Sequence, residues 1–185
     1  MHQGWVKWHL EYRPDLIQPE SIRALLERPL AYIVSTTRDN CILIVCQMRH
    51  YTAGSVQKEE LIRYGMYCVD KAIQKIEAEG LQPYIHCIYD RLGMTSANRD
   101  MIWIKFVYNL AKMMQDYYPE RLGNFYVIGA NWLYWAAFKM IKPILAQKTR
   151  DKVKMIDRLE QLQECIDPAN LQPEHGGTLD FQYDP

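Results

Sequence analysis

Short apolar or β-branched runs alternate along the chain with longer segments in which apolar residues recur every three or four positions. The short runs predict strands, and the longer segments predict amphipathic helices. Strands that alternate with helices are typical of an α/β domain with a mixed, mostly parallel sheet flanked by helices. The predicted strands are 31–35, 41–48, 83–89, 125–130 and 153–156, and the predicted helices are 5–12, 19–27, 56–79, 98–117, 132–145 and 159–166.

For two of these segments, the pattern of apolar residues indicates which faces are covered by the rest of the protein. The run Ile42 to Val45 is continuously apolar, which indicates a strand covered on both faces. The helix at 56–79 carries a single apolar stripe that includes Leu61, Cys68 and Ala72, so it is expected to pack against the sheet by one face. Gly80 stands where a helix-ending glycine belongs, and Ser55 or a neighbouring residue is expected to cap the beginning.

The helix at 132–145 is apolar on nearly every side, as is the helix at 98–117. A helix needs only one apolar stripe to face a core, so this pattern exceeds what a surface helix requires. Taken alone, the pattern favours a core helix covered all round. Pro143 is expected to end the helix because proline cannot continue the hydrogen-bond ladder.

Composition narrows the class of protein. The chain has 185 residues, of which 49% are hydrophobic and 24% charged, so it can form one packed domain. Lys plus Arg and Asp plus Glu both total 22, and this neutral balance argues against a general nucleic-acid binder. The longest apolar stretch, 125–145, is interrupted by Asn131, Lys139 and Lys142, so it is too polar to span a bilayer. A soluble, cytoplasmic protein is expected.

Residues capable of metal or covalent chemistry are scattered. The five histidines and five cysteines show no zinc-type spacing and no CxxC pair, so no metal is expected, and the cysteines are expected to be buried free thiols. His86 and Cys87 are adjacent on a predicted strand, so their side chains point to opposite faces and cannot act as a base and nucleophile pair. No known catalytic motif occurs, which predicts a protein that is not an enzyme and needs no cofactor.

Short motifs recur in an order that resembles the CRAL-TRIO family, in particular its fungal phosphatidylinositol transfer branch. The motif that carries the resemblance most clearly is the Tyr-Pro-Glu-Arg sequence within Tyr117–Gly123. Each motif is short, but their common order over residues 5–177 makes the resemblance specific. The further matches are the strand end Asp90–Gly93, the strand Asn124–Asn131, the pair Lys142–Leu145 and Thr149–Val153, and the segment Leu171–Gly177.

The resemblance implies a lipid-binding fold in which a mobile gate helix, here 132–144, covers an apolar pocket on the sheet. It implies a phospholipid ligand, with phosphatidylinositol as the first candidate, which is exchanged at membranes by opening of that helix. A protein of this kind would associate with membranes peripherally and transiently. The pocket and gate residues are then Trp132, Trp135, Phe138, Ile141, Ile85, Cys87 and Met113.

The same resemblance implies a headgroup site. The family's phosphatidylinositol ligands fall on Glu120, Thr149 and Lys152 in this sequence. Asp151 and Arg121 are neighbours that could also contact the inositol ring or the phosphate. The alternative for each residue is an ordinary surface ion pair or helix cap.

The resemblance also divides the chain. It implies a reduced N-terminal helical segment at 1–28, the lipid-binding domain at 29–177 and a C-terminal tail at 178–185. Because the family's N-terminal lobe is reduced here, some apolar surface is expected to be left for a homodimer. The competing hypothesis is a lipid-sensing or protein-interaction module of a larger signalling protein, which binds lipid without transferring it.

Overall fold

The computed structural model describes residues 16–98, 109–116 and 120–184, together with residues 10, 13 and 118. Five strands form a sheet in the order β1-β2-β3-β4-β5, with helices between most neighbours. The strands are β1 Ala31–Thr36, β2 Cys41–Gln47, β3 Gln82–Asp90, β4 Leu122–Ile128 and β5 Val153–Ile156. The helices are α1 Arg23–Leu26, α2 Lys58–Glu79, α3 at residues 109–116, α4 Trp132–Ile141 and α5 Gln147–Asp151.

Strand direction follows from the length of each connection. β1 and β2 are antiparallel and are joined by a tight turn, in which Thr37 N donates to Cys41 O over 2.8 Å and Asn40 adopts a positive φ of 58°. β2 to β5 are parallel neighbours, and each parallel pair needs a crossover connection. α2 lies in the connection from β2 to β3, and α4 lies in the connection from β4 to β5. The predicted mixed, mostly parallel sheet is confirmed.

One face of the sheet is covered by α2. Ile42, Ile44 and Ile85 point to this face and pack against helix residues that include Val69 and Ala72. We call it the helical face. Gly80 ends α2 with a φ of 65°, in agreement with the prediction from the sequence.

The other face is covered by the C-terminal part of the chain. Leu43 and Val45 lie fully buried there beside Leu162 and Leu171. Ile42, on the helical face, is equally buried, so the prediction that the run at 42–45 is covered on both faces is confirmed. We call residues 159–184 the C-terminal strap.

Several predicted boundaries are wrong for local reasons. β4 ends at Ile128 rather than at residue 130, because Gly129 turns the chain with a φ of 70°. α4 ends at Ile141, four residues before the predicted end. A 3-10 turn at Lys142–Ile144 follows directly and contains Pro143, so the helix stops near the proline as expected. The predicted helix at 159–166 is a 3-10 turn at Leu159–Glu164.

The beginning of α2 also differs from the prediction. The helix begins at Lys58, and the residue before it, Gln57, makes no side-chain cap bond. Ser55 Oγ instead donates to Thr52 O over 2.7 Å, which stabilises the preceding turn. Of the predicted helix at 98–117, the structure describes the part at 109–116, and the predicted helix at 5–12 lies outside the described residues except for residue 10.

Candidate functional site

α4 crosses the helical face from the carboxyl end of β4 toward the amino end of β5. Its beginning is fixed by Asn131, whose side-chain oxygen accepts a hydrogen bond from Tyr134 N over 3.1 Å. The Tyr134 ring packs against the apolar cluster that contains Val127, and it stacks on Phe138 with centroids 5.8 Å apart. The helix predicted as the gate therefore lies on the sheet face that also carries α2.

α4 carries large apolar side chains on its outer side as well. Trp132 is 78% exposed, Trp135 is 44% exposed and Met140 is 65% exposed, whereas Ile141 is buried. Trp132 and Trp135 were expected among the pocket and gate residues, and the structure places them on the outer surface of α4. Phe138 is half-buried. An exposed tryptophan pair is unusual on a helix that faces water alone.

Three cysteines lie beneath this region, on three different elements. Cys46 comes from β2, Cys68 from α2 and Cys87 from β3. Burial raises the pKa of the Cys68 and Cys87 thiols to about 12, and it raises the pKa of Cys46 well above its ordinary value. All three side chains nevertheless keep some accessible surface.

The burial of these three thiols is therefore incomplete. Two aromatic or apolar residues on β4 and β5, Phe125 and Met155, are likewise only partly covered. Ile85 and Met113, two further predicted pocket residues, are 4% and 7% exposed and pack in separate clusters, with Val69 and Met66 respectively. The expectation of buried free thiols holds for Cys41, whereas the other four cysteines are free but only partly buried.

The predicted headgroup residues lie at the amino ends of β4 and β5. Glu120 and Arg121 directly precede β4, and Glu120 adopts a positive φ of 65° in the turn. Lys152 directly precedes β5, and Thr149 and Asp151 lie in the last turn of α5. Since β4 and β5 are parallel neighbours, their amino ends meet at one edge of the sheet.

Hydrogen bonds tie several of these residues to the backbone. Lys152 Nζ donates to Leu122 O over 2.5 Å, and Lys152 O accepts from Phe125 N over 2.8 Å. Arg121 donates from Nη1 to a backbone oxygen at the start of β3 over 3.4 Å. Glu120 and Asp151 are exposed, and the Asp151 carboxylate accepts a bond from the side chain of Gln147 over 2.6 Å. Lys152 therefore joins β4 to β5 as well as bordering the predicted headgroup site.

A polar network at the opposite edge of the sheet was missed from the sequence. Asp90, at the carboxyl end of β3, is buried, and its Oδ2 lies 3.2 Å from His175 Nε2 and 3.4 Å from Arg49 Nη1. Arg49 also donates to Glu174 over 2.6 Å, and Gln47 donates to the other oxygen of that carboxylate. The network fixes the C-terminal strap to the ends of β2 and β3.

Neither a membrane-spanning helix nor a metal-binding cluster is found among the described residues. In the part of the chain that the structure describes, no helix has both the length and the apolar character needed to cross a bilayer. Within the same described ranges, no group of three or more His, Cys, Asp or Glu side chains is arranged to hold a metal ion.

Known proteins resemble this chain in sequence and in fold. The phosphatidylinositol transfer protein PDR17 of Saccharomyces cerevisiae is 39% identical over 71 residues, which cover 38% of this chain and 19% of that protein. The Sec14 cytosolic factor of Schizosaccharomyces pombe is 36% identical over 89 residues, which cover 47% of this chain and 30% of that protein. The crystal structure of Sfh5 matches 86% of this chain and 60% of that one with a TM-score of 0.68 at 15% identity, which shows a shared fold.

The matched segments thus span less than a third of either sequence relative. The CRAL/TRIO domain family matches residues 26–177, which include all five strands and α4. This match agrees with the resemblance carried by the sequence motifs and with the mixed sheet. The chain belongs to the CRAL/TRIO domain family.

Proposed function

We propose that this protein binds a phospholipid beneath α4 and exchanges it at membranes, with phosphatidylinositol as the preferred ligand. The observation that carries the proposal is that Cys46, Cys68 and Cys87 keep accessible surface in the interior of the domain, as they would beside an apolar space. The helix above them, α4, carries large apolar side chains on its outer side as well. The names of the relatives add support, since one is a phosphatidylinositol transfer protein.

The energetics favour a gated exchange over release into water. Each buried methylene group of an acyl chain contributes about 0.8 kcal/mol, so release of two chains into water is very slow. A helix that opens at a membrane and closes in water avoids that barrier. The outward Trp132, Trp135 and Met140 would give the open helix an apolar surface to place in the bilayer interface. The proposed association with membranes is peripheral and transient, and it involves no bond chemistry.

For the headgroup we propose the site at the amino ends of β4 and β5. Lys152 supplies a cation for the phosphate, and Thr149 supplies a hydroxyl one helical turn away. The exposed Glu120 and Asp151 carboxylates are acceptors for inositol hydroxyls, and Arg121 lies beside them. A second cation, Lys148, is exposed on α5 and precedes Lys152 by four residues, so helical spacing places it on the same side as Lys152.

Phosphatidylcholine is not expected as the favoured counter-ligand. The family resemblance implies that hydroxyl side chains on the strand before the Asp-x-x-Gly turn would hold a choline phosphate, and the matching positions in this sequence are Ile85 and Cys87. Ile85 is 4% exposed, and neither side chain is a strong hydrogen-bond donor. Phosphatidylcholine exchange as fast as phosphatidylinositol exchange would contradict this.

A second candidate function is lipid sensing without transfer. The matched segments of the relatives are parts of longer proteins. A domain within a larger chain can use a bound lipid only to hold that chain at a membrane or to signal that the lipid is present. A vesicle assay separates the two functions. Donor vesicles that hold fluorescent phosphatidylinositol are mixed with acceptor vesicles, and transfer proportional to protein concentration supports exchange. Binding of the fluorescent lipid with no transfer supports the sensor.

A further inference from the structure

Arg91 follows β3 directly and reaches across to the connection that begins α4. Its side chain is only 8% exposed, although it is charged. Arg91 Nη1 donates one hydrogen bond to Gly129 O over 3.3 Å and a second to Asn131 Oδ1 over 3.4 Å. Gly129 has a φ of 70°, so the backbone turns there between β4 and α4.

The same guanidinium also contacts the first turn of α4. Arg91 Cζ lies 5.0 Å from the centre of the Tyr134 ring, which is a cation–π distance. Burial raises the pKa of Tyr134 to about 12, and the positive charge of Arg91 opposes that rise. Because Asn131 Oδ1 accepts from Tyr134 N as well, one oxygen joins the arginine to the helix cap. Arg91 thus holds the turn, the cap and the first helical turn together.

We propose that Arg91 is the latch that holds the gate helix closed. This inference rests on the proposed gating function, since it names a residue that controls that motion. An opening of α4 that pivots at Gly129–Asn131 must separate the Tyr134 ring and the Asn131 side chain from Arg91. The latch therefore sets how often the helix leaves the sheet, and Arg91 is a positioning residue that does not need to touch the lipid.

The planar shape of the side chain is essential to this role. A guanidinium can donate in two directions while its flat face lies on an aromatic ring. Arg91 reaches both oxygen acceptors with Nη1 while Cζ lies over the Tyr134 ring. A lysine at this position would keep the charge, but its single nitrogen cannot occupy both of these places at once. The substitution Arg91→Lys is therefore a mild change that removes the latch while it leaves a cation in place.

Arg49 provides a matched control. It is a second, partly buried arginine near the same edge of the sheet, and it pairs with Asp90 and Glu174 rather than with α4. Arg49→Lys therefore loosens the C-terminal strap and leaves the connection at 129–131 unchanged. Any effect of Arg91→Lys that Arg49→Lys also shows is a general loss of stability.

Hydrogen exchange measured by mass spectrometry tests the latch directly. In Arg91→Lys, the amides of residues 130–141 are expected to exchange about tenfold faster than in the wild-type protein, as the loss of a stacked and hydrogen-bonded contact predicts. The amides of α2 and of the strands are expected to keep their wild-type rates. In Arg49→Lys, the amides of 130–141 are expected to stay at the wild-type rate. Wild-type exchange at 130–141 in Arg91→Lys would overturn the proposal.

A second variant covers the case in which Arg91→Lys does not fold. Tyr134→Leu keeps the hydrogen bonds of Arg91 and removes the ring that contacts both Arg91 and Phe138. It is therefore expected to speed exchange at 130–141 by about threefold relative to Phe138→Leu, which breaks the ring pair and keeps the Arg91 contact. If neither Arg91→Lys nor Tyr134→Leu speeds amide exchange at 130–141, the proposed role of Arg91 is wrong.

The vesicle assay separates failure of the latch from failure of the gating function. If wild-type protein transfers phosphatidylinositol, Arg91→Lys is expected to release bound fluorescent lipid about tenfold faster at equal loading. A wild-type rate of release would contradict the latch and leave lipid transfer standing. If wild-type protein neither binds nor transfers lipid, the proposed function fails, and the hydrogen-exchange result then reports on the mobility of α4 alone.

Discussion

Gly123 leaves open the space that the imidazole of His86 fills. A methyl group added at Gly123 would lie 2.2 Å from Cδ2 and 2.4 Å from Nε2 of His86, closer than packed atoms allow. The contact arises because β4 carries one extra residue opposite His86, where the pairing shifts from Ile85–Leu122 to Cys87–Phe125. Gly123 therefore fixes the bulge that brings the amino end of β4 to the predicted headgroup site.

Gly123→Ala is expected to lower the free energy of unfolding by about 1–3 kcal/mol, as overpacking in a dense interior does. Urea unfolding followed by fluorescence measures the loss. The double variant Gly123→Ala with His86→Ala removes the overlapping ring, so it should lose less than the sum of the two single variants. Simple additivity of the two losses would show that the overlap is relieved elsewhere.

Stability is expected to fall as the pH is lowered below about 6.5. Burial lowers the pKa of His86 below its ordinary value of 6.5, and burial also lowers that of His50. The unfolded chain therefore takes up a proton before the folded one does, so the stabilisation is full above pH 6.5 and is lost as the pH falls toward the folded pKa. Each unit of lowering corresponds to about 1.4 kcal/mol.

The pH dependence can be assigned to one residue by substitution. The variant His86→Gln cannot be protonated, so its unfolding free energy should fall less between pH 7.5 and pH 5.5 than that of the wild-type protein. The comparison uses the difference between the two pH values, because the substitution itself also changes stability. Equal differences for both proteins would show that His86 does not contribute.

Lys152→Ala is expected to reduce loading with phosphatidylinositol about tenfold, because it removes the cation proposed for the phosphate. It also removes the bond from Lys152 Nζ to Leu122 O, which costs about 1 kcal/mol of stability. Loading is therefore measured as bound lipid per folded protein. Lys154→Ala is the control, since Lys154 is exposed on β5 and alternates to the face opposite Val153 and Met155, and its loading should equal that of the wild-type protein. An equal loss in both variants would argue for a general charge effect.

The interior thiols are expected to resist alkylation. Burial raises the pKa of Cys68 and Cys87 to about 12 from an ordinary 9.0, so the reactive thiolate is about a thousandfold rarer at pH 8 than in the unfolded chain. Iodoacetamide labelling of folded and urea-unfolded protein, followed by peptide mapping, measures both rates. Labelling of either cysteine in the folded protein at the unfolded rate would contradict the environment described for it.

The parts of the fold that depend on local periodicity were predictable from the sequence. The continuous run at 42–45 and the stripe of α2 place each residue on a face, because side-chain direction follows the period of the element. The extra residue in β4 was not predictable, since it depends on how Gly123 meets His86 across two strands. The predicted strand accordingly began at residue 125 instead of 122.

The candidate site was predictable in part. Lys152 and Glu120 were named from short motifs, and the structure brings them to one edge of the sheet. Arg91 was part of a recognised strand end, but its contacts with Asn131 and Tyr134 join segments 40 or more residues apart, which no local pattern reveals. Alternation along β2 places Cys46 on the helical face with Ile44, and this signal could have joined it to Cys87.

Native mass spectrometry of the purified protein shows whether a lipid lies in its interior. A folded population that carries one phospholipid per chain is expected, with phosphatidylinositol among the lipids recovered by extraction. Incubation with vesicles that contain phosphatidylinositol should convert any lipid-free protein to the loaded mass. Folded protein that stays at its lipid-free mass after purification and after that incubation would contradict the account.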